Sequence, residues 1–322
     1  VQDPVEKNLL FAATEYGVYT SLNGGSSWQK LPGTPTISFR DLTIQKREND
    51  LVAASFGRGF FVLDDYSALR EFTDQNLSKE GKLFEPRPAK WFVPRSNIGN
   101  TGADYYFAKN PEYGAVFTYH LSNDFTTQKS LRQKKEKDLN KANKNVPFPG
   151  WDALDQEGQE EAAQILLTIT DQEGNIINKV KQKASKGSHR IAWNLEHFNP
   201  FPISLSGRSR RGGGALVTPG TYKASLHLEK GGQVTALDGP ISFDVKAIRN
   251  GVLKGASYED YNAFREELTE FLKEVSAMQD AFSQSKKKHA AFVKALARSG
   301  ATPGTIEPQL AQMKMDIYRI EQ

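Results

Sequence analysis

Short alternating stretches fill the first 250 residues, and a longer periodicity replaces them near the end. Residues 10–19 read as strand, Gly turn at Gly17, and strand again; residues 52–62 repeat that order around Gly57 and Gly59. Ala13 and Ala54 stand 41 residues apart, and Gly17 and Gly59 stand 42 apart. Repetition in the low forties, with several short strands per unit, is the spacing of a β-propeller blade. Residues 37–45 are expected to open the second unit and residues 68–72 to close it, while the first unit lacks an opening strand. From about residue 88 to 246 strand patterns continue without the repeat. Residues 115–121 place Val116, Thr118 and His120 on one face and Phe117, Tyr119 and Leu121 on the other. Further strands are expected at 165–170, paired as a hairpin with 175–177, and at 187–193, 220–226 and 241–245. Five to seven such strands describe a β-sandwich. After Ser257 the apolar step changes to three and four: Tyr261, Phe264, Leu268, Phe271, Leu272, Val275, Met278 and Phe282 form one stripe. Leu310, Met313, Ile317 and Ile320 form a second beyond Thr302-Pro303-Gly304. Two amphipathic helices folded back on each other are expected there.

Composition narrows the class. Of 322 residues 38% are hydrophobic and 25% charged, which sets the chain apart from disordered polymers. No apolar run approaches about 18 residues, so no membrane-spanning helix is expected. With no cysteine, a disulfide framework, a thiolate metal site and a cysteine nucleophile are excluded. The net charge of +4 is concentrated: Arg132, Lys134, Lys135, Lys137, Lys141 and Lys144 face only Glu136 and Asp138 between residues 130 and 145. One basic stretch without aromatics reads as a solvated loop rather than a nucleic-acid surface, and no nucleic-acid partner is expected.

Two resemblances sharpen the picture. The run Ser21-Leu22-Asn23-Gly24-Gly25-Ser26-Ser27-Trp28 resembles the Asp-box of bacterial neuraminidase repeats, a structural hairpin on a propeller's outer edge. Asn23 takes the place of the aspartate as acceptor of backbone N–H groups, Gly25 supplies a positive φ, and Trp28 is expected to pack between strands. The run of residues 51–65 resembles the closing blade of large bacterial sortilin-like proteins with WD/YVTN/neuraminidase-type repeats. Asn110-Pro111-Glu112-Tyr113-Gly114-Ala115, Arg190-Ile191-Ala192-Trp193-Asn194-Leu195 and Pro219-Gly220-Thr221-Tyr222 are similar to markers of that family's C-terminal immunoglobulin-like domain. The resemblance implies a mainly β chain in three parts. Residues 1–88 would be the last one and a half to two propeller blades. Residues 89–248 would be an immunoglobulin-like sandwich with a basic insertion at 126–161, and residues 249–322 a helical hairpin. It also implies export to the periplasm, outer-membrane surface or extracellular space, as part of a longer protein.

Catalytic chemistry is sparse. His120, His189, His197, His227 and His289 are scattered, with no His-Glu-x-x-His spacing for a metal, and no Gly-x-Ser-x-Gly elbow occurs. Asp64 and Asp65 are neighbours, so a strand would turn them to opposite faces. They are read as strand-ending, turn-bonding groups rather than a glycosidase pair, which needs about 5–9.5 Å between carboxyls. Arg58 is read as a backbone brace whose flanking glycines allow close approach. The turn at Asp171-Gln172-Glu173-Gly174-Asn175 lacks a position-twelve glutamate and reads as a plain turn, not a calcium loop. The Arg/Gly stretch 207–214 reads as a flexible loop. Within the insertion, Pro147-Phe148-Pro149-Gly150-Trp151 has two readings: Trp151 pins the insertion to the sandwich, or Phe148 and Trp151 are contact anchors for a partner. Two functions follow. One is a non-enzymatic binding scaffold of the bacterial envelope, docking protein or peptide partners without cofactor or metal. The alternative is a secreted glycosyl hydrolase whose catalytic residues lie in further N-terminal blades.

Overall fold

Strand formation follows the alternation closely in the computed structural model, which describes residues 1–94, 108–201, 203, 213–249 and 255–321. The chain is mainly β with helix at its C-terminal end. Strands β1 (Leu10–Thr14), β2 (Gly17–Ser21) and β3 (Gln29–Lys30) form one antiparallel three-stranded sheet. A second contains β4 (Phe39–Gln45), β5 (Asp50–Ser55) and β6 (Phe60–Leu63), with β6 at its edge. The two share one core, in which Phe11, Val18, Phe39, Leu51 and Tyr66 are buried. Their hairpins close alike. Thr14 Oγ1 donates to the Gly17 carbonyl at 2.9 Å, and Ser55 Oγ donates to the Gly59 carbonyl at 2.8 Å. A hydroxyl one residue after each repeated alanine thus holds the turn glycine.

Residues 68–72 are not a strand. A 3₁₀ turn runs over Ser67–Glu71, followed by the single turn α1 (Asp74–Leu77). The cause is polar. Asp65 Oδ1 accepts from the Ser67 N–H and hydroxyl, which starts the turn, and Arg70 is drawn inward to Asp3. The Asp3 side chain has no exposure. Arg70 binds it with Nε and Nη2 at 2.8–3.2 Å, Tyr66 donates to it at 2.7 Å, and the N–H groups of Val5 and Glu6 complete its shell. Burial alone raises the Asp3 carboxyl; the bonds from Arg70, Glu6, Tyr66 and Val5 outweigh it and bring it down to about 2. A carboxyl held below its unfolded value stabilises the fold above that value and loses the contribution as pH falls through the folded one. About 2 kcal/mol of stability is therefore expected to disappear between about pH 4 and pH 2, measurable as a drop in denaturation midpoint that Asp3→Asn no longer shows.

The remaining strands enclose a larger core. β7 (Gly81–Leu83), β9 (Ala115–Leu121) and β12 (Gly187–Trp193) form a sheet in the order β12-β9-β7. The other is β11-β10-β13-β14-β8, from β8 (Ala89–Trp91), β10 (Gln164–Thr170), β11 (Ile176–Lys183), β13 (Gly220–Lys230) and β14 (Gln233–Ala247). All neighbours are antiparallel except β14 and β8. Between the sheets lie Phe117, Tyr119, Ile165, Leu167, Trp193 and Phe243, all buried, with Phe117 and Phe243 edge to face at 5.0 Å. Full burial of each such side chain contributes about 1.5–3 kcal/mol. The turn between β10 and β11 is a plain one: Asp171 Oδ1 accepts from the Asn175 N–H and Oδ2 from its side-chain amide.

The basic stretch at 130–145, expected as a loop, belongs to a helical insertion. The insertion forms α2 (Gln128–Lys141), capped by Thr127, and α3 (Trp151–Gln159). Long unbranched Lys, Arg, Gln and Glu side chains favour helix even where no apolar stripe marks it. Arg132 locks the two helices through Glu157, at 2.8 Å, and Glu136 within α2.

These elements, spanning Val1–His197 and Leu216–Val252, make one compact unit; Phe198–Ala215 and Leu253–Gln322 make a second. In the second, α4 (Tyr258–Leu296) starts at a capping pair. Ser257 Oγ accepts from the Asp260 N–H and donates to its carboxylate. α5 (Glu307–Glu321) folds back on it, joined by His289 to the Leu310 carbonyl and by the Lys286–Glu321 ion pair. Of the loop expected over 207–214, residues 207–212 lie outside the described residues.

Candidate partner-binding site

The Asp-box-like turn is built as its residue types require. Asn23 Oδ1 accepts from the Ser27 N–H at 2.9 Å and from the Ser21 hydroxyl at 3.0 Å. Ser21 Oγ in turn accepts from the Gly25 N–H, and Gly25 has φ 95°. The turn's polar atoms are spent on the turn itself. Trp28, expected between strands, is instead 43% exposed, because β3 is only two residues long and offers no second strand to cover the ring.

Phe148 and Trp151 come together at the junction of the α2–α3 connection and α3. Their rings meet edge to face at 5.2 Å, and they are 63% and 73% exposed. Trp151 therefore does not pin the insertion down. Pro147 and Pro149 stiffen the segment around Phe148, Gly150 turns the chain at φ 93°, and Trp151 begins α3. With Arg132 bridging the helices behind it, the pair is an apolar point on a fixed frame. Arg132 and Glu157 hold each other: hydrogen bonding from Glu157 and Glu136 raises the guanidinium, and Arg132 lowers the Glu157 carboxyl.

A cleft of about 680 Å³ opens within the first unit, walled by Leu31, Leu51, Phe61 and Tyr66 and by Ser188 and Arg190 of β12. Its ionic groups are already engaged. Asp65 serves Ser67, and Arg190 Nη2 donates to the Asp64 and Asp65 carbonyls at 2.5 and 2.7 Å. Asp64 and Asp65 lie just past β6, not within it, and Asp65 has φ 40°. They end the strand and fasten the small sheets to β12. A second fastening joins Arg87 and Lys90 to Glu48 and Asp50; the Lys90 bond is the largest influence lowering the Glu48 carboxyl, against burial that raises it.

The histidines are held by their surroundings. His120 faces Ser188 across strands at 2.9 Å, His189 bonds the Ser185 carbonyl, His227 approaches Thr168, and His289 meets Leu310. Among the described residues no group of three or more His, Asp and Glu side chains is arranged for a metal. Arg58 does not brace a neighbour by close approach. Added side chains at Gly57 and Gly59 would meet nothing, and both glycines are explained by φ 75° and 71° at the turn. The Arg190 and Asp3 fastenings were missed from sequence; their partners lie 63 to 126 residues away and carry no local pattern. Compared with family models, curated proteins and solved structures, the chain matches none.

Proposed function

We propose that this chain is part of a non-enzymatic binding scaffold, exported to the bacterial envelope or surface, that docks a protein or peptide partner on Phe148 and Trp151. The observation that carries the reading is the solvent-exposed, edge-to-face aromatic pair on a helical frame locked by Arg132. Rigid aromatics lose little entropy on binding and are favoured anchors. The finer architecture belongs to the same proposal: the two small sheets as the closing blades of a propeller, and the larger two-sheet core as an immunoglobulin-like sandwich. It is supported by the matching hydroxyl–glycine hairpins at a 41-residue interval and by the sortilin-like motifs. The engaged state of Asp65 and Arg190 favours structural over hydrolytic roles in the cleft.

Affinity capture from native envelope extracts, followed by titration of the captured partner, tests this. Trp151→Ala is expected to weaken binding by about 2 kcal/mol, roughly thirtyfold, with an unchanged melting temperature because the ring is in water. Undiminished binding would remove the assigned site. Hydrolysis of any member of a glycan panel would overturn the non-enzymatic reading.

A further inference from the structure

In α4 the residues Tyr261, Phe264, Leu268, Phe271, Val275 and Met278 alternate at steps of three and four without exception, and the alternation continues through Phe282, Ser285, His289 and Phe292 to Leu296. That is a heptad seam, whose spacing matches a partner helix rather than a flat surface. α5 occupies its later part: His289 meets the Leu310 carbonyl, and Glu321, in the last described turn of α5, reaches Lys286. Towards the helix start the seam is open. Phe264, Phe271 and Met278 are 62%, 60% and 71% exposed, and Tyr261 and Leu268 are exposed as well.

The flanks of this open half are acidic. Residues 258–278 hold six acidic side chains against two basic ones. Arg265 and Lys273 are taken by Glu266 and Glu270, which leaves Glu267 and Glu274 beside the seam without an ion pair among the described residues. We propose that the open half of the α4 seam binds a basic amphipathic helix, its apolar stripe against Phe264, Phe271 and Met278 and its lysines or arginines against Glu267 and Glu274. A second copy of this half fits less well, because it brings the same acidic excess against itself. The basic residues Lys286, Lys287 and Lys288 of another copy fit no better, since their stretch of seam is covered by α5. An anionic bilayer is repelled by the same carboxylates.

Two synthetic three-heptad peptides test the proposal, both with leucine at the seam positions, one flanked by lysine and the other by glutamate. Each is titrated into the full chain by fluorescence anisotropy. The lysine peptide is expected to bind at least about tenfold more tightly than the glutamate peptide, and less tightly as salt rises. The Glu267→Lys/Glu274→Lys variant is expected to exchange that preference, and Phe264→Asp/Phe271→Asp to abolish binding of the lysine peptide. Both variants alter exposed positions and are expected to keep their helical circular dichroism. Equal binding of both peptides, binding of neither, or an unexchanged preference would overturn the proposal. So would sedimentation showing a native dimer that Phe271→Asp dissociates.

Discussion

Replacing Asp3 with alanine is expected to lower the stability of the first unit by about 3–5 kcal/mol, the range for removing one partner of a buried ion pair. The reason is what remains behind. Arg70, less than a fifth exposed, would keep its charge with no carboxylate to balance it, left with the neutral Asn49 and Tyr66 side chains, and the buried Tyr66 hydroxyl would lose its carboxylate acceptor. Tyr66 also packs edge to face on Phe11 at 5.0 Å, so any shift of the phenol disturbs the core shared by the two small sheets. Arg70→Ala should cost a similar amount, and the double variant distinctly less than the two losses added, because both remove one network. Urea denaturation of the four proteins measures this; additive losses would show that the Asp3 and Arg70 side chains do not act together.

The second large effect is expected from Gly114→Ala. This glycine precedes β9 at φ 113°, and an added Cβ would stand 1.9 Å from the Trp193 carbonyl oxygen, well inside any real contact. Ala115 and Trp193 are paired residues of β9 and β12, so relief requires moving the strand end that carries the largest buried side chain. A loss of about 4 kcal/mol is expected, at the upper end of single substitutions. Gly174→Ala is the control. Its φ is 93°, but nothing lies near its missing Cβ, so it should cost only the backbone strain of about 1–3 kcal/mol. Equal losses for the two variants would mean that the close approach to Trp193 is of no consequence.

What could be read in the sequence was what repeats locally. β9 was legible because one of its faces is buried and the other is not, which writes a period of two into seven residues. α4 was legible because its seam holds the three-four step for almost its whole length. α2 was not, since Leu131 and Leu139 are too few to make a stripe among so many charges, and helix propensity without periodicity resembles a solvated loop. The 3₁₀ turn at Ser67–Glu71 escaped for another reason: its residues are compatible with a strand, and contacts with Asp3 and within Asp65–Ser67 decide otherwise. At the candidate site, the Pro-flanked aromatics stood out in the sequence. Whether they were buried or presented depended on the frame formed by Arg132 and Glu157, twenty-five residues apart.

The edge position of β6 has a consequence for how the chain behaves in concentrated solution. Phe56, Phe60 and Val62 are exposed on or beside a strand edge that pairs with no other described strand, and Arg40 lies over the Phe56 ring. Residues 51–63 form a β-rich, proline-free window, the kind of segment that templates further strands and seeds aggregation. Arg58 is its single charge, and it stands at the tip of the turn between Gly57 and Gly59, exposed and free to repel a second copy. Arg58, with no bonded partner among the described residues, thus stands where a gatekeeper charge opposes edge-to-edge association.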